Sequence, residues 1–180
     1  MTTEQQEESL TGAQGKRPLL MQMAENMARS VEALGPALAA VDVAVSPQLA
    51  AVMQETENTW REMEAEFGLL TSTEVSAAVG SKSPNRSWAS EQRSAGRLLA
   101  INRPRGYRYP GFQVDRVHGV ILPVIGRLIT VAKKAGWSEA SLALWLVAST
   151  GYLDDARPVD RLDRGDEVVY AAEQSFNVQW

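Results

Sequence analysis

His118 is the single histidine of this 180-residue chain, and cysteine is absent. Disulfide and thiolate chemistry are therefore excluded, and no multi-histidine zinc site can form. Catalysis of the Ser-His kind would depend on His118 alone, with Asp115 as the nearby carboxylate. A second set of titratable groups, Asp154, Asp155 and Asp160, could supply acid–base chemistry. These carboxylates alternate with Arg157, Arg161 and Arg164, a pattern of local ion pairing on a surface. His118 adjoins Gly119 in an expected loop between a strand and a helix, a setting that suits a structural or solvated imidazole. No Gly-rich phosphate loop or nucleophile elbow occurs. The residue types point to a binding protein, with no catalytic residue, metal or cofactor expected.

What the chain does concentrate is charge. Residues 1–68 carry four basic side chains against eleven acidic ones, a net −7. Residues 69–116 carry eight basic against three acidic, a net +5, and residues 117–180 carry six against eight, a net −2. A basic island inside a protein of formal net charge −4 is where a polyanion would bind. The candidate DNA contacts are Lys82, Asn85, Arg86, Arg93, Arg97, Arg103 and Arg105. No apolar run approaches membrane-spanning length, and the first residues are acidic and polar where a secretory signal would be basic and then apolar. A cytoplasmic protein with no membrane partner is the expectation.

The elements that must hold the basic groups are marked by their punctuation. Residues 1–17 read as a disordered tail and residues 18–68 as an acidic helical region. One helix is expected over 19–40. A second follows Ser46 as N-cap and Pro47 at the first helical position, carries Leu49, Val52, Met53, Trp60, Met63 and Phe67 as its apolar stripe, and stops at Gly68. The acidic helices are expected either to mediate self-association, as a homodimer or within a larger hetero-oligomer, or to pack on their own domain. Thr71 and Glu74 form a capping box for a short helix with Val75, Ala78 and Val79 inward. After Gly80 and Ser83-Pro84 comes an Arg-rich helix around Trp88. A short capped helix, a turn and a basic helix make a helix-turn-helix. Arg97–Ile101 and Tyr107–Val114 then read as two strands around an Asn102–Gly106 turn, giving a wing tipped by Arg103 and Arg105. Residues 69–116 are thus expected to be a winged helix-turn-helix.

Residues 117–180 return to helical spacing. Ile121, Val124, Ile125, Leu128, Ile129 and Ala132 form one face, ending at Lys133, Lys134 and Gly136. Ser138 caps the next helix, with Leu142, Trp145 and Leu146 inward and Gly151 at its end. A helical turn from Arg157-Pro158 to Leu162 and a helix over Asp166–Glu173 complete the pattern. The fold class expected is mainly α, a helical bundle with a helix-turn-helix and one small β-hairpin.

The segment from Trp145 to Leu162, an aromatic at a helix end, a Gly break and then Arg157-Pro158-x-Asp160-x-Leu162, resembles the toxin-binding domain of Xre/MbcA/ParS-type antitoxins. So does the preceding Tyr109-Pro110-x-Phe112-Gln113-x-Asp115, and the resemblance extends over roughly residues 69–173. Asp155 stands where that family often has Gly, and Arg161 where an apolar residue is common. The resemblance implies a type II antitoxin that neutralises a RES-domain toxin acting on NAD and that binds operator DNA to repress its own operon. A DNA-binding regulator without a toxin partner is the alternative. Under the first reading Trp145, Arg157, Pro158, Asp160 and Leu162 shape the toxin-docking surface. Phe176 and Trp180, two aromatics in a terminal segment with no helical period to bury them, are expected as inserted anchors, the alternative being that they fold back onto the last helices; Trp145 is expected in the core under either.

Overall fold

Ser46 and Pro47 start the first of the described helices as the punctuation requires. In a computed structural model that describes residues 46–81 and 86–176, helix α1 spans Pro47–Phe67. The Ser46 hydroxyl accepts the Leu49 N–H at 3.2 Å, and Gly68, at a φ of 80° that favours glycine, ends the helix. The helix expected over 19–40 lies outside the described residues. The chain forms two compact units, Met1–Thr59 and Trp60–Trp180. In the first, Thr56 returns its hydroxyl to the Val52 carbonyl at 2.9 Å, and Met53, expected on the apolar stripe, is exposed. In the second, Trp60 and Met63 are buried in the main core. The sequence places a boundary at 68, but it falls earlier because Trp60, Met63 and Phe67 already belong to that core.

Strand β1 (Leu69–Leu70) leads into helix α2 (Ser72–Ala78). The capping box is complete: Thr71 Oγ1 accepts the Glu74 N–H at 3.3 Å, and Glu74 Oε2 accepts the Thr71 N–H at 2.7 Å. The Thr71 N–H, and after it the Thr71 hydroxyl, hold the Glu74 carboxyl below its ordinary range. Helix α3 (Arg86–Ser94) follows, then strands β2 (Ile101–Arg103) and β3 (Gly106–Pro110). All pairings are antiparallel, with β3 in the middle of the order β1-β3-β2. Asn102 pairs with Tyr107 and Leu70 with Tyr109. Helix, strand, two helices and a hairpin whose second strand pairs back to the first strand is the topology of a winged helix. Val75, Ala89, Leu98, Ala100, Tyr109 and Val114 pack beneath it.

The strands are shorter than the pattern suggests, and the reason lies in two polar side chains. Leu98, Leu99 and Ala100 are buried but outside the ladder. Gln113, fully buried, accepts the Leu99 N–H at 2.8 Å and donates to the carbonyls of Leu99 and Pro110, both at 3.0 Å. Glu139 accepts the Ala100 N–H at 2.8 Å. Side chains thus replace strand partners for this segment. The expected return strand through Val114 is likewise broken by a 3-10 turn at Gly111–Gln113. A Cβ at Gly111 would collide with the Phe67 carbonyl oxygen, and the Gly111 N–H donates to Gly68 at 2.9 Å. Phe112 meets Phe67 edge-to-face, centroids 5.5 Å apart.

A second small ladder, β4 (Val114–Asp115) with β5 (Val120–Ile121), delivers the chain to helix α4 (Pro123–Lys134). Helix α5 spans Glu139–Val147, with the Ser138 hydroxyl accepting the Ser141 N–H at 3.0 Å. It ends before Gly151, which opens a 3-10 turn at Gly151–Leu153; another follows at Pro158–Arg161. Helix α6 spans Gly165–Phe176, three residues beyond its expected end at Glu173. The faces of α4, α5 and α6 enclose one core with Trp60, Leu99, Ile101 and Phe112. Leu99, Ile101 and Phe112 thus cross the division expected at 116/117, while the smaller core of Val75, Ala89, Leu98, Ala100, Tyr109 and Val114 lies wholly before it. The protein is mainly α-helical, and no helix among the described residues is long and apolar enough to cross a membrane.

Candidate functional site

The basic residues of the island are distributed over α3 and the β2–β3 hairpin. Arg86 is exposed in the first turn of α3, and Arg105 is exposed in the two-residue turn between β2 and β3. Arg97 is exposed just beyond α3, its Nε donating to Gln92 Oε1 at 2.8 Å. Lys82 and Asn85 lie outside the described residues. Arg86, Arg97 and Arg105 present unburied charge from helix and wing, the placement that backbone contacts to a polyanion require.

Two arginines are more constrained. Arg103, expected at the wing tip, is half-buried, with its guanidinium carbon 5.7 Å from the Trp60 ring centre. It leans on the end of α1, so Arg105 alone marks the tip. Arg93, in the last turn of α3, lies over the Tyr107 ring at 4.1 Å. Tyr107 itself is 40% exposed. Helix and wing meet through this stack, which no periodicity in either element announces, because the partners lie on different elements.

The C-terminal candidates behave differently. Trp145, Pro158 and Phe176 are buried: Trp145 lies in the core, and the expectations of Pro158 on a docking surface and of Phe176 as an inserted anchor are corrected. Phe176 stacks on Trp137 with centroids 4.0 Å apart and meets Trp145 edge-to-face at 5.1 Å. The missed signal was helical: Val168, Ala172 and Phe176 recur every fourth residue and carry α6 to its last turn. Leu162 is half-buried against the same core. Trp180 lies outside the described residues.

Arg157 is engaged on both sides. Its Nη atoms donate to the two Glu66 oxygens at 2.8 and 2.7 Å, and its Nε and Nη2 to the two Asp160 oxygens at 2.8 Å each. These bonds hold the carboxyls of Glu66 and Asp160 below their ordinary range and raise Arg157. The pair fastens the Arg-Pro turn to α1. The large exposed groups at this end are instead Tyr152 and Tyr170, 51% and 61% exposed, bordering a cleft of about 320 Å³ with Arg161 and Arg164. Tyr170 was readable from the helical wheel of α6, since it stands off the Val168–Ala172–Phe176 face.

His118 is mostly exposed, with Nδ1 2.6 Å from Asp115 Oδ2. Asp115 Oδ1 also accepts the N–H groups of Val117 and His118, so the carboxylate closes the β4–β5 turn. The His118 contact is the largest cause holding the Asp115 carboxyl below its ordinary range. No family model, curated protein or solved structure matches the chain.

Proposed function

We propose that the protein is a DNA-binding antitoxin of the Xre/MbcA/ParS type, neutralising a RES-domain toxin and repressing its own operon as a homodimer or a toxin–antitoxin hetero-oligomer. The observation that carries the DNA half is the winged-helix topology with Arg86 in the first turn of α3, Arg97 just beyond its end and Arg105 on the wing. In this reading α3 enters the major groove and the wing rests on a neighbouring phosphate. The toxin half is supported by the resemblance through Arg157-Pro158-x-Asp160-x-Leu162 and by the cleft that Tyr152 and Tyr170 border, residue types suited to a protein interface.

The second reading, a DNA-binding regulator without a toxin partner, is favoured by the burial of Trp145, Pro158 and Phe176, which takes three side chains away from any docking surface. One co-expression experiment separates the two. A RES-domain toxin encoded beside the gene, produced with the full chain, should co-purify at fixed stoichiometry and lose its growth arrest. A purified chain that shifts duplex DNA but neither retains nor silences that toxin establishes the second reading.

A further inference from the structure

Arg93 combines two features found together in no other described residue. Its guanidinium is stacked at 4.1 Å on an aromatic ring from a different element. Its Nε is buried without a hydrogen-bond partner, the single such side-chain atom among the described residues. A buried, unpaired guanidinium N–H costs free energy unless something offsets it. The Tyr107 face supplies part of that compensation by attraction to the cation. The stack also restricts the rotational freedom that an arginine side chain otherwise loses on binding.

We propose that Tyr107 is a positioning residue, holding Arg93 as a flat fork whose outward edge takes two coplanar acceptors of a nucleic acid. This rests on the DNA-binding reading above. A guanidinium that lies over a ring and has its Nε buried would offer its Nη pair, the geometry that matches either the O6/N7 edge of guanine or two oxygens of one phosphate. Tyr107 contributes by its ring and not by its hydroxyl, so phenylalanine should serve as well.

The test uses the full chain and a pool of random-sequence 40-bp duplexes in fluorescence anisotropy. Tyr107→Phe should bind as the parent does, whereas Tyr107→Leu should bind about 3-fold to 5-fold more weakly. Arg93→Ala combined with Tyr107→Leu should be no weaker than Arg93→Ala alone, since the ring acts through the guanidinium. Replacing every dG by 7-deaza-dG distinguishes the sources: a parent-specific loss identifies the guanine edge, and an unchanged affinity with a salt slope lower by about one for Arg93→Ala identifies phosphate. Either result supports the fork.

The Arg93 Nε–H resonance provides an independent readout. Its exchange with water should be slow in the parent and in Tyr107→Phe and fast in Tyr107→Leu. Parent-like binding by Tyr107→Leu, or additive losses in the double variant, overturns the proposal. A parent that binds none of the duplexes overturns the DNA reading, and the acceptor role falls with it; slow Nε–H exchange would then show that the stack itself was correctly read.

Discussion

Glu66 in the last turn of α1 and Arg157 at the Arg-Pro turn, 91 positions apart, meet in a two-pronged ion pair at 2.7 and 2.8 Å. The planar guanidinium offers Nη1 and Nη2 to Glu66 while Nε and Nη2 serve Asp160, so one side chain satisfies two carboxylates. A lysine, with a point charge and no fork, cannot reproduce this arrangement. Arg157→Lys should therefore lower the melting temperature nearly as much as Arg157→Ala, as differential scanning fluorimetry would record. A parent-like melting temperature for Arg157→Lys would contradict the forked geometry.

Acid should loosen the same contact. Arg157 holds the Glu66 and Asp160 carboxyls below their ordinary range, so the stabilisation is complete above the unfolded carboxylate range, about pH 4, and is lost as pH falls through the lower folded values. Melting curves between pH 7 and pH 2 should show a steeper acid loss for the parent than for Glu66→Gln with Asp160→Asn. Equal slopes would count against the assignment.

Gly111 faces the Phe67 carbonyl so closely that even alanine requires the backbone to move. Gly111→Ala should destabilise the fold by roughly 2 kcal/mol or more in urea titrations, in the range of overpacked cores. Gln113→Leu removes the partner of three backbone groups in a fully buried position, and a loss of about 3 kcal/mol is expected from orphaning them.

Phe176→Ala, on the buried end of α6, should cost about 3–5 kcal/mol of stability. Tyr152→Ala and Tyr170→Ala should leave the melting temperature within a degree or two of the parent and, under the antitoxin reading, weaken rescue of toxin-arrested cells. A stable Phe176→Ala protein, or unchanged rescue by the double Tyr variant, would reverse these assignments.

Under the DNA-binding reading, removing Arg105 or Arg86 should weaken duplex binding for all sequences and lower the salt slope by about one per residue. Arg103→Ala should chiefly lower stability, because its guanidinium lies over Trp60. Titrations at several salt concentrations check both.

Local signals read true where the deciding contacts are local. Ser46, Thr71 with Glu74, and Ser138 each cap the helix their spacing announces, because a cap needs only its own next turn. The wing was readable from the turn between Asn102 and Gly106, but β1 was not: two residues have no alternation, and their pairing is set by β3 forty positions on. Leu98 to Ala100 read as strand because apolar runs do not say whether neighbours or side chains such as Gln113 will satisfy the backbone. In the candidate site, the exposed Arg86 and Arg105 could be read from charge alone. The Arg93–Tyr107 stack and the Arg157 fork join distant segments and leave no spacing behind.

Leu99, Ile101 and Phe112 lie in the same core as the faces of α4, α5 and α6. A cut at residue 117 would therefore leave raw apolar surface on both products, and neither fragment would melt as an independent body. Unfolding from Trp60 onward should be a single transition, with any ligand held by α3 or the wing raising the melting point of α6 as well. In heredity the same packing acts as a constraint: a recombination breakpoint near 117 separates surfaces that fit only each other, so the helices of the C-terminal half cannot be exchanged for another set without rebuilding the underside of the wing.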